Sequence, residues 1–501
     1  MSTTTMQTSN QQTLPRFSGR NGLALLLAMA AIAALYWLPG DLSANGRMAL
    51  GAFALAIIGW TLTDLNDTVV ALVAALGLVF AHTIGADRFF ASIGESVVWL
   101  MIGAFIVARA LNQSGLAARF TFAITRRARS VGQLFYGLTA VLLITALVIP
   151  STSARAALLA PVYLAMTAAF QNERLNRALA IALPVNILLT AIGSLVGAGA
   201  HLVINDTLGQ LVGNRFSFME WLLLGLPFAA ISAFGSTWMI LRIFLTRQER
   251  SLRLTDHLQQ QLAAPGAWTR QERYVGLVTL VLAALWMTET WHGIDNALVA
   301  LMGALAVSLP PFGPLKFKDA AKAVEWEMIL FVAASLALSE ALVMSGAGRW
   351  LVDLLLVQSG LSSLESKLAI LAGVAAITLT AHLYITSRSA RGAALAPLIV
   401  LLALSLGIDP RIMAFVTAAG IGYCITLAVS AKPLTMFQQL GSDRPAYSAG
   451  DLARLSGVLA PFHLGLIVVF AVFYWPHLLP PLAAQPDQAA VQRTAAPATQ
   501  P

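Results

Sequence analysis

Apolar residues run along this chain in blocks near 22–38, 48–63, 68–84, 96–113, 217–240, 274–290, 295–310, 327–344 and 455–475. Each is close to the length of about 20 residues that an α-helix needs to cross a bilayer. Four more stretches, 131–170, 178–210, 366–406 and 412–434, are hydrophobic but cut by Pro, Ser, Gly and charge. Lipid offers no hydrogen-bond partner, so backbone broken at membrane depth must be buried in protein or line a cavity. The pattern predicts an all-α polytopic membrane protein. We read 131–170 and 366–406 as re-entrant hairpins, and 178–210 and 412–434 as full but broken spans, giving about 11 transmembrane helices plus the two hairpins. Residues 1–20 and 477–501 are polar or Ala/Pro/Gln-rich and read as disordered tails.

Composition agrees. The chain is 58% hydrophobic and only 11% charged, against roughly 25% charged in soluble domains. Block 22–38 follows Arg16 and Arg20, as a signal peptide would. It is long, ends in Leu-Pro-Gly-Asp and lacks a small-x-small cleavage site, so it is expected to remain as the first span. Net charge is +8. The Lys and Arg sit mainly in loops between apolar runs, which points to topology signals and lipid contact, and no nucleic-acid module is visible. With the N-terminus inside and both hairpins returning to their own side, 19 cationic residues fall inside and 7 outside. That bias obeys the positive-inside rule and puts the chain in the inner (plasma) membrane. The single cysteine, Cys424, excludes an intrachain disulfide and a Cys-based metal cluster.

An internal repeat carries the function. Residues 151–161 read Ser-Thr-Ser-Ala-Arg-Ala-Ala-Leu-Leu-Ala-Pro, and 387–397 read Ser-Arg-Ser-Ala-Arg-Gly-Ala-Ala-Leu-Ala-Pro. Eight of eleven positions match across 236 residues, and the charge pattern enters the two copies from opposite faces. Secondary transporters build shared sites from inverted repeats with broken helices near the midplane. Ser151 or Ser153, and Ser387 or Ser389, are placed to cap the helix after each break. A helix N-terminus offers free N–H groups and partial positive charge to an anion. Arg155 and Arg391 add full charges one turn in, at a depth where an arginine is retained for a reason.

Each hairpin precedes a broken span. The first holds Gly193, Gly197 and His201; the second holds Gly420-Ile421-Gly422 and Val429-Ser430-Ala431-Lys432-Pro433. The candidate substrate residues are therefore Ser151, Thr152, Ser153, Arg155, Ser387, Arg388, Ser389, Arg391, Gly197 and Lys432. Lys432 reads equally as a site cation or a snorkelling helix-end charge. His201, His382 and Glu340 have structural readings beside functional ones, and Asp64 and Asp67 fit a short cytoplasmic turn. No Ser-His-Asp set, phosphate loop, HExxH or zinc spacing appears, so an enzyme is not expected.

At these residues the chain resembles the divalent anion/sodium symporter (DASS) family of the ion transporter superfamily. Trp99 to Gly115, with Ile102-Gly103-Ala104-Phe105-Ile106 and Ser114-Gly115-Leu116, is similar to the family's span before the first hairpin, and Trp326 to Gly346 to its counterpart. The tips at 151–153 and 387–389 fall where the family carries Ser-Asn-Thr signatures, and the likeness covers about 22–476. The resemblance implies a homodimer whose protomers each join a scaffold to a mobile transport domain that carries di- or tricarboxylates or sulfate by an elevator motion. It divides the chain into scaffold spans at 21–130 and 274–365, transport elements at 131–245 and 366–476, and a cytoplasmic linker at 246–273. No cofactor is implied beyond sodium, expected near Thr152, Gly193 and Gly197. Yet Thr152 and Arg388 stand where the family has asparagine. The usual Gly-Thr-Pro-Pro-type loops read Gly197-Ala198-Gly199-Ala200 and Ser430-Ala431-Lys432-Pro433. A guanidinium carries donors only and cannot ligate a cation, so the second-repeat sodium site is expected to be lost, leaving proton-coupled, exchange-type or less sodium-dependent transport. A cation/proton antiporter or arsenite permease of the same superfamily is the competing transporter, and a membrane enzyme or scaffold the competitor from another class.

The topology is open to test. Single cysteines introduced in 246–273 and in 477–501 should react with impermeant thiol reagents from opposite sides of the membrane. Reaction from one side alone would remove the scheme.

Overall fold

The computed structural model describes residues 19–37, 42–116, 119, 122, 123, 127–253, 266–359, 366–440 and 444–480. Most of the expected tails (1–18 and 481–501), linker residues 254–265 and the loop cation Arg126 lie outside these. The described chain is all-helical; its one β-type pairing is an isolated bridge between Ser130 and Arg253. The main helices are α1 (Gly19–Trp37), α2 (Ala44–Leu62), α3 (Asp67–Phe80), α4 (Ser96–Ser114), α5 (Val131–Ala146), α6 (Thr152–Phe170), α7 (Glu173–Thr190), α8 (Gly199–Val212) and α9 (Phe218–Phe244). The second half follows as α10 (Arg270–Met287), α11 (Asn296–Ser308), α12 (Trp326–Met344), α13 (Ala347–Ser359), α14 (Lys367–Thr380), α15 (Arg388–Ser405), α16 (Pro410–Gly422), α17 (Lys432–Gln439) and α18 (Ala449–Phe473). By length and composition, seven helices among the described residues can cross a membrane, and several shorter apolar helices accompany them.

The breaks fall where the sequence pattern places them. The first hairpin stretch is cut between α5 and α6, and the second between α14 and α15. The broken stretches become α7 and α8, separated at 191–198, and α16 and α17, separated at 423–431. Ser or Asn caps start half of these helices. Asn172 receives the backbone N–H groups of Arg174 and Leu175, and Ser217 forms a reciprocal capping box with Glu220.

The helices pack in two groups, joined where α8 and α15 meet α12. In one, α2 meets α3, α3 meets α12, and α4 packs along α11. At Gly103 an added Cβ would lie 2.6 Å from the backbone carbonyl carbon of Ala300, so only glycine admits this crossing. In the other set the repeats exchange halves: α8 packs on α15 of the opposite repeat, while α17 packs on α6 and α7. This reciprocity is what an internal two-fold relation demands, and it brings both breaks to one place. Every residue of α16 is buried, as are the last thirteen of α7. Helices apolar all round belong inside a larger assembly, and these two end at the site.

Candidate functional site

A cavity of about 470 Å³ lies where the breaks meet. Four helices begin in its wall: α6 at Ser151–Ser153, α8 at Ala198–Ala200, α15 at Ser387–Ser389 and α17 at Ala431–Pro433. Sequence left two capping serines open in each tip, and the structure selects the first of each pair. Ser151 Oγ accepts from the Ala154 N–H at 3.2 Å, and Ser387 Oγ accepts from the Ala390 N–H at 3.3 Å. The other two helices start after Ala198 and Ala431, which offer no side-chain cap. The first N–H groups of α8 and α17 are thus left for a ligand, although Pro433 removes one donor from α17. Four positive helix ends facing one volume make it attractive to an anion.

Two full charges reinforce them. Lys432 and Arg388 both line the cavity. Arg388 Nη2 donates to Gly422 O at 2.6 Å and Leu188 O at 3.3 Å, with Cys424 Sγ 3.7 Å away. Its Nη1 is buried without a protein partner. The opposite wall comes from α3 and α12 and the residues before α12: Asp67, Thr68, Glu325, Trp326, Glu327, Met328 and Phe331. Asp67 is within electrostatic reach of Ser387, Glu327 and Lys432. Sequence reasoning left Asp67 in a turn, and it did not single out Glu325 or Glu327. Acidic residues at the starts of α3 and α12, the two helices that face the repeat motifs, were the available signal.

The remaining candidates sit elsewhere. Arg155 is fully buried behind the first tip. It donates to Ile187 O at 3.0 Å, Leu142 O at 2.5 Å and Thr190 Oγ1 at 2.6 Å. Arg391 is its counterpart, donating to Ile385 O at 2.8 Å, Thr386 O at 3.1 Å and Ile421 O at 3.2 Å. Each fastens its hairpin tip to the end of the following helix, so the expected pair of substrate cations becomes a pair of backbone staples. Gly197 is also off the wall. A side chain there would collide with the Ala191 carbonyl oxygen, so glycine is required by the fold of the break. Gly193 packs against Ala229 of α9.

His201 Nδ1 lies 3.1 Å from Ser194 O, and its ring is 5.2 Å from that of Trp221, whose Nε1 donates to Ile192 O at 2.9 Å. These two rings hold the carbonyls of the first break. Glu340 pairs with Arg88, and His382 Nδ1 lies 2.7 Å from Leu379 O. Sequence also passed over Asn186 on α7. Its Nδ2 donates to Thr139 and Thr237, and its Oδ1 accepts from Ser236, linking α5, α7 and α9.

The family model for the sodium:sulfate symporter transmembrane region matches residues 20–480. The chain belongs to that family. It is a multi-pass protein of the plasma membrane. The sodium-dependent dicarboxylate transporter SdcS of Staphylococcus saprophyticus is 22% identical, the match covering 92% of this chain and 91% of that one. A membrane protein of Cupriavidus necator is 24% identical, with 90% and 91% covered. Two solved transporters share the fold. YdaH of Alcanivorax borkumensis superposes with a TM-score of 0.57 at 17% identity, covering 81% of this chain and 91% of that one. MtrF of Neisseria gonorrhoeae gives 0.53 at 13% identity, covering 88% and 97%.

The staple assignment predicts a separation of effects. Arg155→Met and Arg391→Met each strand buried acceptors, at about 1–3 kcal/mol per group. Thermal unfolding of each variant should shift sharply down, while anion binding by the protein that remains folded should match the parent's. Unchanged melting with weakened anion binding would put both arginines back among the substrate ligands.

Proposed function

We propose that this protein is a secondary active transporter of a small anion, a di- or tricarboxylate or a sulfate-like oxyanion. The observation that carries the reading is the meeting of four helix N-termini, two from each repeat, on one cavity that also holds Arg388 and Lys432. A volume of about 470 Å³ suits a small metabolite. Unoccupied N–H groups at the starts of α8 and α17, the Thr152, Ser153 and Ser389 hydroxyls and the Lys432 ammonium weight the balance toward donors on the repeat side of the cavity, facing the Asp67, Glu325 and Glu327 carboxylates across it. A carboxylate or sulfate, which only accepts, fits that balance.

In this reading α5 to α9 and α14 to α18 form the mobile transport unit, its hairpins re-entrant from opposite faces. Helices α1 to α4 and α10 to α13 form the scaffold within a fold of eleven crossings, and the working assembly is a homodimer. The cavity reaches the starts of α3 and α12, which the charge pattern puts on the cytoplasmic side, so this conformation presents the site inward. An elevator displacement of the transport unit past α3 and α12 would present it outward. The family name and the SdcS relative support anion transport. They also bring sodium forward as a co-substrate.

Purified protein in proteoliposomes should take up at least one of labelled succinate, citrate or sulfate saturably, with inhibition by the unlabelled anion. A folded protein that moved none of them, and whose melting none of them shifted, would end the anion reading. Exchange of sodium for protons in the same vesicles would replace it with the antiporter alternative, which the cavity carboxylates Asp67, Glu325 and Glu327 would then serve.

A further inference from the structure

Half-helices leave two kinds of end. Their N-termini seek anions, and the last carbonyls of the preceding half seek cations, because they have no partner within the helix and lie at the negative end of its dipole. In transporters with broken helices such carbonyls coordinate the coupling ion. Here the equivalent carbonyls of α7 and α16 are taken by the protein itself. Ile187 O receives Arg155, Ile421 O receives Arg391, and Leu188 O and Gly422 O receive one and the same nitrogen of Arg388.

The donor set does not fit sodium. Three guanidinium groups occupy the carbonyls a cation would use, and a guanidinium stays charged and accepts nothing. Around Gly193 and Gly197, Ile192 O is held by the Trp221 indole, and Ser194 O by the Gly197 N–H with the His201 ring beside it. The Ser194 hydroxyl is buried without a partner. A lone hydroxyl does not replace a hydration shell.

We infer that the Arg388 guanidinium, clamped between the carbonyl ends of α7 and α16 and facing the cavity, is a tethered replacement for the coupling cation and makes this protein a sodium-independent anion exchanger. The inference rests on the anion-transport reading and specifies its energetics. Arg388 supplies the positive charge that a bound cation would bring to the anion. Unlike a bound ion, it cannot leave. The loaded site is near neutral and crosses readily, whereas the empty site must carry an uncompensated charge through surroundings where charge is costly. The return half-cycle is therefore fast only with an anion aboard, and that is exchange. One nitrogen of Arg388 holds both repeats together, through Leu188 O of the first and Gly422 O of the second.

Proteoliposomes preloaded with unlabelled dicarboxylate should take up labelled dicarboxylate at least about tenfold faster than empty vesicles, as expected when an unpaired charge must otherwise cross. Stepwise replacement of external sodium by choline at fixed pH and membrane potential should leave that rate flat. Arg388→Asn frees Gly422 O and Leu188 O and should make uptake sodium-dependent, while Arg388→Lys should keep it flat. Steep sodium dependence in the parent protein, equal uptake into empty vesicles, or a folded Arg388→Asn protein as indifferent to sodium as the parent would each overturn the assignment. Melting curves in sodium and choline need neither transport nor a known substrate. Sodium should stabilise Arg388→Asn alone, and stabilisation of the parent would contradict the inference even if every anion in the panel proved wrong. Should Arg388→Asn fail to fold, the parent protein's sodium curve and its response to preloading decide the matter.

Discussion

A helix broken inside an apolar core must hand its unpaired backbone groups to some partner, and this structure depends on how it does so. Lipid cannot serve, and each buried group left alone costs free energy comparable to a lost hydrogen bond. The two interrupted spans therefore need internal donors for their last carbonyls. Arg155, Arg391 and Arg388 provide them, with the Trp221 indole, the His201 ring and backbone turns filling the first break. Buried arginine is costly by itself, but these side chains meet a cluster of oriented carbonyl dipoles.

That solution fixes the polarity of the site. Once the carbonyl ends are neutralised by guanidinium, the four helix beginnings give the cavity its positive side. Capping serines answer α6 and α15, while α8 and α17 start from alanines that have no side-chain cap to give. In the anion-transport reading, fold and selectivity follow from this one constraint. The opposing carboxylates, Asp67, Glu325 and Glu327, give the facing helices the opposite sign. In the elevator reading, a bound anion screens this wall from the cations of the moving unit, and an empty site is attracted to it.

Much of this was legible in the sequence, because the fold advertises itself through solvent preference. Apolar blocks gave the helices, and Pro, Ser and Gly within them gave the breaks. The duplicated Ser-x-Ser-Ala-Arg motif located both tips and their caps. The roles of the arginines were less legible. Arg155 and Arg391 sit four residues after the capping serine, and spacing alone does not say whether a side chain there turns toward the cavity or back toward the preceding arm. The carbonyls it finds, Ile187 and Ile421, lie some thirty residues further on. Gly197 was read as room for a ligand, whereas its small size makes room for the carbonyl of Ala191. Asp67, Glu325 and Glu327 escaped because they reach the site only through helix packing. Arg388 was the converse case. A residue of the wrong chemistry for a cation site stood out in sequence, and the structure shows it seated on the carbonyls themselves.

The most direct measurement is an experimental structure of the protein with a heavy-atom dicarboxylate, such as bromosuccinate, in a buffer containing rubidium as a visible alkali cation. The account predicts an anomalous bromine peak between Ser151–Ser153 and Ser387–Ser389, and no rubidium peak at Gly422 O or Leu188 O. A cation found on those two carbonyls with Arg388 displaced, or an anion bound away from the four helix ends, would contradict it.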